Sequence, residues 1–365
     1  MTAKIERNAI VYCQGAFNTP NGKTAHGLVR RSERYDIVAV IDSNHTDKDA
    51  GQILDGKRAD IPVVADLRSA IAQSESIGKP ATHFVIGLAP DGGKLPNSAR
   101  EAIREAIKNE LSVDSGLHDF LTEDREFPAL AREYGVNLRD IRKPPPRSQL
   151  HFFSGKIEDV TSMRIAVLGT DSAIGKRTTA WMLVDALRDA GLKAALIGTG
   201  QTAWMQGARY SIILDSLIND FVSGEIEHAA WSAWKDLEPD VLVLEGQGSL
   251  MNPAYPGGFE ILAAGRPDFV ILQHATRRAE YDGFPGYPLH PLKKQIEAIE
   301  LISERPVAAI TLNHEGMKKS EIAWEAEKIR KETGLPCVDV LVQGGASLVD
   351  ALRERLPYGE KENHE

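Results

Sequence analysis

One run of residues constrains the fold of this chain more than any other: Gly169, Thr170, Asp171, Ser172, Ala173, Ile174, Gly175, Lys176, Arg177, Thr178 and Thr179. An apolar run of strand length, residues 163–168, leads into it, and a helix-forming stretch, residues 180–190, leads out. Strand, glycine loop with Gly-Lys, then helix is the context a phosphate-binding loop requires. Glycine lets the backbone curl so that successive N–H groups point inward. The helix start adds partial positive charge, and Lys176 adds a full one. Two details depart from the standard loop. The first glycine lies one position early, with five residues between Gly169 and Gly175 instead of four, and Arg177 stands where Ser or Thr normally holds Mg²⁺. Phosphate binding is therefore expected more strongly than Mg²⁺-dependent hydrolysis of a triphosphate, and no metal centre is expected.

The rest of the chain reads as alternating strands and helices, the pattern of an α/β fold with parallel sheets. Strand-like runs lie at residues 8–13, 36–41, 61–64 and 83–87, separated by helix-capable stretches at 23–31, 66–73 and 98–109. Asp42, at the end of the second run, occupies the place where a Rossmann fold holds an adenosine ribose. The glycine fingerprint is absent after the first run, where the loop reads Gln14, Gly15, Ala16, Phe17. A Rossmann-like fold without NAD binding is the expectation. The proline run 144–146 cannot continue a helix or a central strand. It divides the chain into 1–147 and 148–365. The first 150 residues carry 21 basic and 21 acidic residues; the remainder carry 22 and 31, so the whole net charge of -9 lies in the second half. Such an acidic chain lacks the cationic footprint that nucleic acid demands.

After residue 190, strand-like runs end in polar or glycine clusters at 198–202, 245–248, 273–274 and 311–314. In an open α/β sheet ligands bind beyond the carboxyl ends of the strands, so these clusters are expected to converge on the loop at 169–179. Glu245 can take a proton or hold a metal there. His274, Arg277 and Arg278 are candidates for an anionic ligand. His290 lies in a proline-rich loop. Asp114 and His118, in a polar loop that breaks a helical pattern, are candidates reaching the crevice from the first half. Cys13 and Cys337 are too few for a disulfide scaffold and read as buried thiols. No apolar run reaches membrane-spanning length, the first ten residues are not a signal peptide, and the polar tail after Pro357 is expected to fray. A cytoplasmic protein with small-molecule substrates, neither nucleic acid nor membrane as partner, and homo-oligomeric contacts through residues 204–217 and 229–237 is the expectation.

The loop at 169–176 resembles that of dethiobiotin synthetase and related amidoligase-type P-loop proteins, and residues 245–248 resemble their Glu-Gly-Ala-Gly segment. A closer resemblance spans the chain. Residues 113–118, 169–179, 198–202, 245–249 and 256–258 are similar to those of a prokaryotic two-domain family, long of unknown function, with a Rossmann-like N-terminal domain and a P-loop C-terminal domain. That resemblance implies D-glutamate N-acetyltransferase activity with acetyl-coenzyme A as cosubstrate, in D-amino-acid catabolism beside an enolase-superfamily epimerase. A P-loop can hold coenzyme A phosphates without hydrolysing anything, and Arg177 then also offers itself to phosphate. Acyl transfer needs a base, oxyanion donors and cations for the substrate carboxylates. The candidates are Glu245, His118 and Asp114 as base, the N–H groups of Gly246 and Gly248 for the oxyanion, and Arg277, Arg278 and Lys293 for carboxylates. Gln201 joins Gly246, Gly248 and His274 among the substrate-binding candidates. The dethiobiotin-synthetase likeness implies an alternative, an ATP- and Mg²⁺-dependent carboxylate–amine ligase or kinase; a nucleotide sensor without turnover is a third reading.

Overall fold

In a computed structural model, residues 8–358 are described. The chain forms two compact units, one running to Pro145 and including Gly200–Arg209, the other holding Pro146–Thr199 and the chain from Tyr210 onward.

The first unit is built on six parallel strands: β1 (Asn8–Tyr12), β2 (Asp36–Ile41), β3 (Val63–Val64), β4 (His83–Ile86), β5 (Ser112–Ser115) and β6 (Leu138–Asp140). Their order, β3-β2-β1-β4-β5-β6, is that of a Rossmann sheet. β1, β2 and β4 are apolar over almost their whole length because a parallel sheet is covered on both faces. Phe17, Phe84, Phe127, Ile103 and Ile107 are fully buried in this unit. β5 and β6 lie where the sequence suggested a loop and nothing regular. Their residues, SVDS and LRD, are short and polar. The polar groups are satisfied across the sheet, in a way periodicity does not register.

Asp42 is fully buried, but its environment is not that of a ribose-binding carboxylate. It accepts the N–H groups of Gly15 (3.0 Å), Phe17 (3.3 Å) and Asn44 (3.2 Å), and Nδ1 of His45 lies 3.0 Å away. The carboxylate thus pins the loop after β1.

Seven parallel strands form the second unit: β7 (Met163–Gly169), β8 (Ala194–Gly198), β9 (Tyr210–Ser211), β10 (Val241–Glu245), β11 (Phe269–Ala275), β12 (Val307–Asn313) and β13 (Cys337–Val338). They run in the order β13-β12-β11-β7-β10-β8-β9. The chain reverses its direction of winding at β7, so a crevice opens there at the carboxyl ends of the strands. Register sets Glu245 beside Val167 and Gln273 beside Gly169, so the ends of β10 and β11 flank the loop that leaves β7.

The apolar segments expected to form an oligomer interface are largely used inside the units. Ile212 and Leu214, and Ala229, Ala230 and Ala233 of the helix Asn219–Leu237, belong to the core of the second unit, while Met205 and Ala208 are buried in the first. Cys13 and Cys337 are free and buried; burial pushes the Cys337 thiol up to about 12 and Cys13 higher still. Among the described residues no helix is long and apolar enough to cross a membrane. The tail beyond Tyr358 lies outside the described residues.

Candidate active site

The helix after β7 spans Lys176–Asp189, so it starts four residues earlier than its apolar pattern suggested. Its first turn is the end of the glycine loop itself. Gly175, at φ +101°, turns the chain into the helix, and no side chain caps that end. The N–H groups of Ala173, Ile174, Gly175 and Thr178 have no protein acceptor among the described residues. Unpaired donors at an uncapped helix start form an anion cradle. Fully buried Ile174 anchors the loop below, and its carbonyl accepts Nδ2 of Asn313 (2.8 Å).

Lys176 folds back over this cradle. Its Nζ donates to the carbonyls of Asp171 (2.6 Å) and Gly248 (2.7 Å). Gly169 makes that path possible, since a Cβ there would fall 2.8 Å from Cδ of Lys176. The lysine therefore joins the loop to the segment after β10 and carries its charge into the crevice.

Glu245 ends β10 with only 3% of its surface exposed. One carboxylate oxygen accepts the N–H of Thr199 (2.9 Å), whose hydroxyl donates to the Glu245 carbonyl (2.9 Å). Burial raises the pKa of Glu245; the charges of Arg177 and Lys176 and the Thr199 N–H oppose that rise without cancelling it. A buried carboxylate held above its ordinary range beside an anion cradle is suited to take a proton.

Several expected ligand-binding groups have structural duties instead. Asp171 is fully buried. Its carboxylate accepts four donors: the N–H of Ser172 (2.8 Å), Nδ2 of Asn252 (2.8 Å), a guanidinium nitrogen of Arg278 (2.9 Å) and the N–H of Asp282 (3.0 Å). Arg278 also donates to the Ser172 carbonyl (2.8 Å) and to Glu315 (3.0 Å), so it braces the loop and is not free for a substrate carboxylate. Ser172 donates its hydroxyl to Asp282. Thr170 bonds Nδ1 of His274 (3.0 Å), and burial depresses that imidazole to about 4. His274 is thus neutral near pH 7 and supplies no positive charge. The Thr179 hydroxyl lies inside, donating with Thr311 to Gln273. Gly246 gives its N–H to Val167 (2.9 Å) in the sheet, so it is no oxyanion donor. Gly248 has no such acceptor among the described residues and keeps its N–H available. Arg277 pairs with Glu321 (3.0 Å) at the surface, Lys293 is exposed, and His290 bonds the Tyr281 hydroxyl (2.9 Å).

The remaining candidates belong to the first unit. Asp114, on β5, accepts two bonds from Arg139 of β6 (both 2.8 Å) and the Tyr35 hydroxyl (2.5 Å). This bidentate ion pair is a strut within the sheet and leaves no free carboxylate for proton transfer. His118 is exposed, with Arg142 at 3.2 Å from Nε2. Gln201 opens the short helix Gln201–Gln206 and packs against Gly116 in that same unit. Residues 198–202 therefore do not act as one cluster: Thr199 stays with Glu245, while Trp204 is clamped between Arg34 (3.7 Å) and Arg139 (4.7 Å) of the first unit. The sequence reading placed Gln273 and Asn313 in strand-end clusters without giving them a role, and missed Asn252 and Asp282. Only the turn-forming contexts Asn252-Pro253 and Asp282-Gly283 signalled the latter two.

Comparison with known proteins agrees with this architecture. Residues 43–144 match a family model described as a Rossmann-like domain of unknown function (DUF1611_N), and residues 151–349 match its P-loop counterpart (DUF1611_C). D-glutamate N-acetyltransferase from Pseudoalteromonas sp. is 30% identical over 292 residues, covering 77% of this chain and 83% of that protein. The protein of that name from Tritonibacter scottomollicae is 29% identical over 279 residues, covering 74% and 81%. A crystal structure of a DUF1611 family protein from Anabaena variabilis superposes with a TM-score of 0.86 at 29% identity, covering 95% of this chain and 99% of that one.

Proposed function

This chain belongs to the DUF1611 family, and on that premise we propose that it is an N-acetyltransferase acting on the amine of D-glutamate, with acetyl-coenzyme A as donor. The observation that carries the reading is the similarity, over most of both chains, to proteins named for that activity.

The geometry of the second unit supports it. The donors suited to coenzyme A phosphates are the free N–H groups of Ala173, Ile174, Gly175 and Thr178, with Lys176 and Arg177 beside them. When bound, acetyl-coenzyme A supplies an activated thioester; the amine gains an acetyl group, and the thiol of coenzyme A is released. The amine of an amino acid is protonated near neutral pH and must lose a proton before it can attack. Glu245 is the acceptor for that proton. Its raised pKa narrows the gap to the ammonium, and Arg177 and Lys176 limit the rise so that the carboxylate form stays accessible. The Gly248 N–H is the remaining oxyanion donor, and Lys176 on the Gly248 carbonyl holds the peptide that follows it.

The test is a thiol-release assay with acetyl-coenzyme A against D-glutamate, L-glutamate and a panel of other amino acids, with and without EDTA. Release with D-glutamate that withstands EDTA is the expected result. No release with any amine discards the reading. ATP turnover with carboxylate and amine pairs that EDTA abolishes would install the ligase or kinase alternative.

A further inference from the structure

The phosphate loop does not end at its own residues. Two further loops are fastened to it through Asp171. One, after β10, carries Asn252, which donates to Asp171 (2.8 Å) and to the Asp282 carbonyl (3.0 Å). The other, after β11, carries Asp282, whose N–H reaches Asp171 (3.0 Å) and whose carboxylate accepts from Ser172. Each loop then presents aromatic rings a few residues away. Tyr255 lies three residues past Asn252; Phe284 and Tyr287 follow Asp282. These rings are 41%, 42% and 42% exposed.

Their arrangement is built. The Tyr255 ring lies against the Gly283 backbone so closely that a Cβ on Gly283 would fall 2.4 Å from it. Gly283 and Gly286 both take positive φ, +77° and +82°, and curl the second loop around its rings. The Phe284 and Tyr287 centroids stand 5.0 Å apart. Large aromatic side chains are normally buried or functional, and here they stand on two loops fastened to the residues of an anion cradle. A ligand that satisfies both features has a phosphorylated end and a flat π-system within reach of it.

We infer that Tyr255, Phe284 and Tyr287 form the base-binding rim of this site and take the purine ring of a phosphorylated nucleoside ligand, such as the adenosine end of coenzyme A. This rests on the proposed function only in treating the same phosphate loop as the anion site. Inorganic pyrophosphate fills the cradle alone, whereas ADP also meets the rim.

The test is calorimetric titration of the full-length protein with pyrophosphate, ADP and coenzyme A. The double variant Tyr255→Ala/Phe284→Ala is compared with Tyr255→Leu/Phe284→Leu, which keeps apolar bulk but removes the rings. Stacking on aromatic side chains is worth roughly tenfold in affinity per base, about 1.4 kcal/mol. Both variants should weaken ADP and coenzyme A at least tenfold and leave pyrophosphate within about twofold. Equal weakening of pyrophosphate and ADP, unchanged ADP affinity, or a change of oligomeric state as the only effect would each overturn the rim. The thiol-release assay separates the two ideas. Ring-dependent ADP binding without thiol release upholds the rim and discards acetyl transfer. Thiol release with an acetyl-coenzyme A KM that ignores the rings does the reverse.

Discussion

Asp171→Asn is the substitution that most sharply tests how the phosphate loop is held. The sequence suggests a ligand-facing carboxylate; the structure shows a fully buried one with four donors shared between its two oxygens. Replacing either oxygen by an NH₂ group leaves two donors facing a donor, whichever way the amide turns. One arrangement orphans the Ser172 N–H and Asn252; the other orphans Arg278 and the Asp282 N–H. Each buried donor so stranded costs about 1–3 kcal/mol, which gives about 4 kcal/mol for the pair. Arg278 keeps Glu315, so the full penalty of a lone buried charge does not apply. For a domain of this size 1 kcal/mol moves the melting midpoint by about 2–4 °C, so a fall of about 10 °C is expected. Differential scanning calorimetry of wild type and variant without ligand reads it directly. A midpoint within about 2 °C of wild type, together with a large loss of phosphate affinity, would refute the reasoning and turn Asp171 toward the ligand.

Other outcomes follow from the same geometry. Glu245→Gln should lower kcat by roughly 10²–10⁴, the usual loss of a general base. Because the folded pKa of Glu245 is raised, its contribution to stability is present below the ordinary carboxylate pKa and lost as pH rises through the folded value, so this variant should melt higher than wild type at pH 8. Lys176→Ala should raise the KM for the phosphate-bearing substrate at least tenfold, about 1.4 kcal/mol, and an unchanged kcat/KM in a folded variant would remove Lys176 from the site. His274, depressed to about 4, favours the folded state above pH about 6.5 and withdraws that support as pH falls toward 4. His274→Gln should flatten the acid side of the stability profile measured by urea unfolding. Trp204→Ala removes a ring clamped by two guanidinium groups; a loss of about 1–2 kcal/mol is expected, read as faster amide exchange in Gly200–Arg209.

What the sequence alone determined is what local physics writes into neighbouring residues. Apolar runs of strand length alternating with helix-capable stretches prescribe parallel α/β sheets, and Gly169, Gly175 and Lys176 prescribe a phosphate loop between a strand and a helix. Glu245 was legible as a candidate because it closes an apolar strand. The resemblance carried by residues 113–118, 169–179 and 245–249 pointed to the family. Strands β5 and β6 were not legible, because Asp114 and Arg139 are polar residues whose partners are each other, 25 positions apart. Residue type also misled at Asp171, Arg278 and His274. A charge or an imidazole near a loop looks like a ligand-binding group until its neighbours are known. Here the four donors around Asp171, the carbonyls under Arg278 and the burial of His274 make them scaffold. The break after Thr199 was equally hidden. One residue holds the candidate base while the next ten fold with the other unit, and only the three-dimensional contacts of Trp204, Gln206 and Thr202 reveal it. Hydrogen-bond partners and burial depend on residues far apart in the chain, so tertiary structure alone decided which polar groups face a ligand and which hold the loop that does.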